Sequence, residues 1–500
     1  TRFDVIVVGG GHAGVEAAHA AASMGCNTLL CTLNFKAVSR MSCNPSIGGS
    51  AKGIVVREID ALGGIMGVAA DYQYLQMKML NTGKGPGVQC LRTQSDRNIY
   101  PGRVQEILLN TSNLEIKEGM VTSLLHDSEK VFGVAMSDGA EIRAKAVVIT
   151  TGTYMEAQIL RGLEKTASGP DGEKASIGLS KNLTEMGIEI YRLKTGTPPR
   201  IRKSSIDFSK ASVQYGTNAK LAFSYTTKEF VAFENQAVCH LIYTSPKTHE
   251  IIRNNLERSA QFNGQIKGVG PRYCPSIEGK ITTFYDKPRH QLFLEPETKD
   301  GDSIYIQGFA TSMPRDVQEQ MVRSLPGFEN AEILKYGYAI EYDAIVPTQF
   351  DATLRVKKYR GLYGAGQICG TSGYEEAAGL GIMAGINAVL AIRGQAPLIL
   401  KRNEAYIAVM IDDLITKGAI EPYRLLSSRA EYRLLLRHDN ADLRLTEYGY
   451  QLGLIPEARY QSFLQKNESL NRVLSILRKT YLGANKKVNE YLRKIGCTPL

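Results

Sequence analysis

The sequence predicts an α/β protein in which a Rossmann-like nucleotide-binding domain is interrupted by a mostly antiparallel insert and followed by a helical region. Three observations predict it. Residues 3–8, FDVIVV, are apolar and β-branched, the composition of a strand buried on both faces. Gly9, Gly11 and Gly14 follow at once as G-x-G-x-x-G, ahead of an alanine-rich helical stretch at 15–24. Late in the chain, residues 361–370 again run from a strand into glycines, and a small-residue helix continues to Leu390.

The first glycine serves a tight turn, the second lets backbone approach a pyrophosphate, and the third lets helix and strand pack closely. The helix N-terminus then offers free N–H groups to phosphate. Residues 27–32 read as the second strand. An acid for the ribose hydroxyls is expected at its end, but the sequence is Cys31-Thr32-Leu33-Asn34. Thr32 or Asn34 is left to meet the ribose, which disfavours an ordinary NAD site and leaves FAD open. Residues 40–53 hold too many small, turn-forming residues for a helix core. Within them Cys43 lies near Arg40 and Lys52, a setting that favours a thiolate, although a small buried cysteine reads equally well. Residues 66–100 form an excursion with a glycine-rich loop, in which Lys84 either meets phosphate or is solvated. A helix is expected at 103–110 and strands at 114–116, 131–137 and 141–149, the last two joined across Asp138-Gly139.

From Thr195 the composition turns to Tyr, Phe, Thr and Ser. Strands at 191–195, 221–226 and 237–244 suggest the antiparallel insert. Arg200, Arg202 and Lys203 either face a phosphate backbone or form an exposed basic turn. A second cysteine loop follows at 268–281, with Cys274 between Arg272 and Lys280. The two loops suggest thiols meeting at one ligand, or two separate packing cysteines. The turn at 361–370 completes a split nucleotide site of the kind found in FAD-binding, glutathione-reductase-type folds, with Gln367 as its polar residue. Helices are expected at 406–417 and 458–478. Arg424, Arg429, Arg433 and Arg437 punctuate one segment. The last three share a face at i, i+4 spacing if it is helical, as a phosphate-binding stripe or as partners of Glu431 and Asp439. The expected divisions are 1–195, first part of the FAD-binding domain; 196–275, insert; 276–395, second part; and 396–500, helical region.

A hydrophobic share of 43% and a charged share of 22% are ordinary for a globular protein. No apolar run of about eighteen residues is seen, so no membrane span is expected, and no signal-like segment opens the sequence. The eight cysteines include no C-x-x-C, which disfavours metal ribbons and thioredoxin-like redox chemistry and points to free thiols in a reducing cytoplasm. The net charge of +10 suits either a polyanionic partner or a lysine-rich surface.

The blocks MSCNPSIGG, LKTGTPPR, GVGPRYCPSIEGK, GYEEAAGLG and EPYRLLSSRAEYRLLLRHDNADLRLTE, in this order, resemble the MnmG (GidA) family of tRNA uridine 5-carboxymethylaminomethyl modification enzymes. The resemblance implies FAD at Gly9, Gly10, Gly11, His12, Ala13 and Gly14, with further contacts at Val121, Ser176 and Gln367. It implies NADH along 270–284, at Gly270, Pro271, Arg272, Tyr273, Lys280 and Phe284, and two functional cysteines, Cys43 and Cys274. It further implies a homodimer that works with the GTPase MnmE on the wobble uridine of tRNA, taking one carbon from methylenetetrahydrofolate. Members usually continue into a further helical domain that docks MnmE. A thiolate adding at C6 of uracil would make C5 nucleophilic, a role open to either cysteine, and one of them could instead serve as general acid or base. The rival readings are a folate- and FAD-dependent tRNA uridine methyltransferase, a flavin disulfide reductase, and a non-catalytic RNA-binding flavoprotein.

Overall fold

A computed structural model describes residues 2–500. At its centre β1 (Arg2–Val8) pairs in parallel with β2 (Thr28–Thr32) on one side and with Glu141–Ile149 on the other. Leu114–Glu118 extends the sheet beyond β2, and Leu362–Gly364 pairs in parallel with the end of Glu141–Ile149. The antiparallel strands Val131–Met136 and Val121–His126 attach to the beginning of Glu141–Ile149. Val121–His126 was not expected. Its pattern is only partly buried, so hydrophobicity alone does not mark it.

Helix α1 (His12–Ser23) packs against the Tyr374–Ile392 helix closely enough that a Cβ at Gly381 would lie 2.1 Å from the Ala13 carbonyl oxygen and one at Gly385 2.5 Å from that of Ala17. Small residues on both helices are therefore a packing requirement. The Tyr374–Ile392 helix is, by length and a mean hydropathy of 1.4, apolar enough to cross a membrane, contrary to the expectation that no such stretch exists. It is 89% buried, between α1, the Lys52–Ala61 helix and the central sheet, so its apolarity belongs to the core.

Two further sheets build the other wall. One is four-stranded, in the order Glu164–Ala167, Gln158–Arg161, Tyr338–Ile345 and Ile190–Thr197. The other is six-stranded: Ser212–Gln214, Cys239–Tyr243, Gln291–Pro296, Ser303–Gln307, Arg200–Arg202 and Ile333–Lys335. Its core is separate, built on residues such as Ile201, Leu294, Phe309 and Phe328. Three of its strands lie beyond residue 275, so this antiparallel sheet draws on the chain from Arg200 to Lys335.

The strand expected at 221–226 is absent. Its donors are taken by side chains instead: the Asp71 carboxylate accepts from the N–H of Phe223 and of Ser224, each at 2.8 Å, and Asp60 accepts from Tyr225 at 3.1 Å. The segment is thereby held irregular while Phe223 is fully buried. In the C-terminal region Tyr406–Lys417 and Glu457–Lys479 are helices as expected, joined by an additional helix, Ala441–Gln451.

Candidate functional site

A cavity of about 440 Å³ opens where β1 ends. Gly9 turns the chain with φ +112°, and a side chain there would strike the Thr150 carbonyl oxygen at 2.4 Å. A Cβ at Gly14 would sit 1.8 Å from the Gly9 oxygen, so only glycine lets α1 begin against the strand. At Gly11 the Cβ position meets nothing within 4 Å and faces the cavity. Open space over a helix N-terminus is a phosphate cradle. His12 lines it too, buried, with Nε2 unpartnered and burial lowering its imidazole to about 4, hence neutral. Ala13 and Gly14 lie behind, in packing.

Val121, Ser176 and Gln367, far apart in sequence, all line this cavity. So do Thr32 and Asn34, the two candidates for the ribose. A carboxylate stands near that end, contributed by a distant segment. Glu173 accepts from Asn34 Nδ2 at 3.4 Å and pairs with Arg40 at 2.7 Å. Sequence spacing could not reveal it, because the acid is supplied about 140 residues later, on the loop before the Leu179–Glu185 helix. Another polar wall is formed by Arg92, which bonds Glu295 at 2.6 Å and Gln307 at 2.8 Å.

Cys43 lines the cavity as well. Its N–H donates to the Tyr374 hydroxyl at 2.8 Å, and the Tyr374 ring stacks on His12 with centroids 4.4 Å apart. Arg200, expected to face phosphate or solvent, is instead fully buried. Its guanidinium donates to the Cys43 carbonyl at 3.0 Å and pairs with Glu297 at 3.1 Å, fixing the thiol's loop to the insert. Cys43 Sγ stands 4.0 Å from the Gly196 oxygen. The cation-primed thiolate expected at Cys43 is not favoured. Burial pushes the thiol up, the Cys274 charge adds to this, and Arg424, Arg200 and Lys52 only partly oppose it.

Cys274 is exposed and lies in a loop beside the same strand, Ile190–Thr197. It borders a small second cavity that shares Gly196 and Tyr338 with the large one. The structure thus brings the two cysteine loops together. Arg424 faces both thiols from the large cavity, apart from the three arginines that follow it on the same segment. The segment expected to carry NADH flanks Cys274 outside the large cavity. Pro271 lines the small cavity, Tyr273 and Phe284 are exposed, the Arg272 N–H donates to Glu421, Lys280 Nζ donates to the Gly308 carbonyl, and Gly270 lies over Lys194.

A parallel sheet, a glycine turn, a helix N-terminus and a long cavity across the strand ends define a dinucleotide-binding protein of the Rossmann class. The sequence matches the family described as Glucose inhibited division protein A over residues 4–396, and the chain belongs to that family. It is 55% identical over its whole length to 79% of a protein from Exiguobacterium sibiricum named tRNA uridine 5-carboxymethylaminomethyl modification enzyme MnmG. It is 53% identical, again over its whole length, to 79% of a protein of the same name from Bacillus subtilis. Among solved structures, Aquifex aeolicus GidA superposes with a TM-score of 0.92 at 49% identity, covering 95% of this chain and 80% of that one.

Proposed function

We propose that the protein is a FAD-dependent tRNA uridine-modifying enzyme acting at C5 of the wobble base, with reducing equivalents from NADH and one carbon from methylenetetrahydrofolate, in concert with the GTPase MnmE. The observation that supports this best is that two cysteine loops come together at the Ile190–Thr197 strand, Cys43 lining the dinucleotide cavity and Cys274 the small cavity beside it. The names of the full-length relatives supply the substrate.

The cavity fits FAD on its own terms: open space at Gly11, an unpartnered His12 Nε2 and glycines that admit backbone to a pyrophosphate. Gly9 to His12 would hold the phosphates, Thr32, Asn34 and Val121 the adenosine half, and Ser176 and Gln367 the remainder. Bound FAD supplies the electron transfer that pyridine nucleotide drives. The chain's own residues do the rest. Cys43, held as a neutral thiol by burial, suits a proton donor. Cys274, exposed and flanked by cations, suits the nucleophile that adds to C6 of the uracil. A single-stranded anticodon base can reach an exposed thiol without disrupting a duplex.

The test compares wild type with Cys274→Ser in the complete reaction, reading flavin absorbance and the modified nucleoside by mass. The variant is expected to bind FAD and be bleached by NADH anaerobically while forming no product. Full product formation by it would overturn the assignment, and a wild type that binds no flavin would overturn the cofactor.

A further inference from the structure

Lys194 sits on the Ile190–Thr197 strand, beside which both cysteine loops lie. Two residues along, the Gly196 carbonyl lies 4.0 Å from Cys43 Sγ, while the Lys194 side chain borders the small cavity together with Cys274. That cavity, about 10 Å³, holds roughly one water. The loop carrying Cys274 is fastened over the lysine: Lys194 N–H donates to the Val269 carbonyl at 3.0 Å, and Gly270 passes so close that a Cβ there would be 3.2 Å from Lys194 Cδ. The lysine is only 8% exposed, and its Nζ makes one hydrogen bond, to Gln261 Oε1 at 3.3 Å. A buried ammonium with so little hydrogen bonding requires a nearby negative charge.

We propose that Lys194 is a positioning residue for Cys274, its ammonium supplying from beneath the loop the positive charge that a thiolate nucleophile needs. This rests on the reading of Cys274 as the nucleophile, but its test does not require tRNA modification. Burial lowers the Lys194 ammonium from its ordinary range, and Glu278, Cys274 and Glu341 draw it back. Around Cys274 the other charged or titratable neighbours are Arg424, Lys280, Cys43 and Tyr305, with Arg272 and Tyr273 beside it in the loop and the Glu421 carboxylate accepting from the Arg272 N–H. Arg424 reaches Cys274 itself from the large cavity and Lys280 bonds the Gly308 carbonyl, while Lys194 is the cation placed under the loop, so the two cations flank the thiol from opposite sides of its segment.

The experiment measures the pH profile of Cys274 alkylation by iodoacetamide, peptide by peptide, in wild-type holoprotein and in Lys194→Met and Lys194→Gln. The variants are expected to shift the profile upward by about one unit, slowing alkylation near neutral pH about tenfold, while circular dichroism and flavin absorbance stay unchanged. A coincident profile in a folded variant overturns the proposal. Wild type gives a second reading that needs no variant. The ratio of alkylation rates with anionic iodoacetate and neutral iodoacetamide is expected to be several-fold higher at Cys274 than at exposed Cys497, and equal ratios overturn the proposal even if both variants fail to fold. Because alkylation is read without tRNA, a failed modification assay would discredit the enzymatic reading and leave this result standing.

Discussion

Glu16 shows how one residue can link the nucleotide site to pH. It lies on α1, fully buried, and its Oε1 accepts from the N–H of Ile65 at 3.0 Å and of Met66 at 2.8 Å. Burial is the largest effect on it and raises the carboxyl from 4.5 to about 7, against the pull of the two backbone bonds. The folded protein therefore holds this proton over a range in which the unfolded chain has released it. Its contribution is fully present below about 4.5 and is lost as pH rises through about 7. Glu16→Gln keeps an acceptor for both N–H groups and cannot ionise. The variant is expected to lose less stability than wild type between pH 5 and pH 8, by on the order of 3 kcal/mol. Urea unfolding at several pH values measures this, and parallel curves for the two proteins would sink it. G-x-G-x-x-G was legible because Gly9 and Gly14 answer local steric demands and Gly11 leaves the helix N-terminus open. Glu16 was not, because its partners come from a segment some fifty residues on.

Among the elements, the arginine-bearing segment departs furthest from its expected form. Residues 427–429 and 438–440 are single 3₁₀ turns, and no α-helix places Arg429, Arg433 and Arg437 on one face. The periodicity is real but tertiary contacts override it. Tyr423 N–H donates to the Gly370 carbonyl and Leu425 N–H to Glu376 Oε1, pinning the chain extended across the start of the Tyr374–Ile392 helix. Arg429 then bonds the Arg424 carbonyl at 2.8 Å and lies over the Tyr423 ring, and Arg437 pairs with Asp439. The helices beside this segment are locked to the nucleotide domain by Glu58. Its fully buried carboxylate accepts from the N–H of Tyr406 and Ile407, the first turn of Tyr406–Lys417, and pairs with Arg444 at 2.8 Å. Glu58→Ala removes a helix cap and strands a buried guanidinium. It is expected to cost about 3–5 kcal/mol in denaturant unfolding, and a loss within the roughly 1 kcal/mol of a surface pair would contradict the lock.

Across the whole molecule, the sheet order around β1 and the two halves of the nucleotide site follow from local patterns repeated at each end of the sequence. The other wall does not. Its sheet interleaves strands from Arg200 to Lys335, and the ion pairs closing it join residues such as Arg97 with Asp171 and Glu297 at 2.8 Å and 3.2 Å. No spacing rule reports contacts of that range, which is why Arg200 read as a phosphate contact or part of an exposed basic turn and proved to be a buried strut. Basic groups available to RNA must therefore be sought among side chains without such partners. Arg433 is exposed with no carboxylate partner among the described residues, and its segment packs on Gly87, beside the exposed loop carrying Lys84. With a net charge of +10, tRNA binding is expected to weaken steeply with salt. If Arg433 meets a phosphate, Arg433→Gln reduces the slope of log affinity against log salt by about one and weakens binding evenly across tRNA sequences. On the proposed reading, in which NADH reduces the flavin, that reduction stays at the wild-type rate in the variant, because the side chain is absent from the cavity lining. A salt titration by filter binding decides it: an unchanged slope would place the RNA path elsewhere on the surface, away from Arg433.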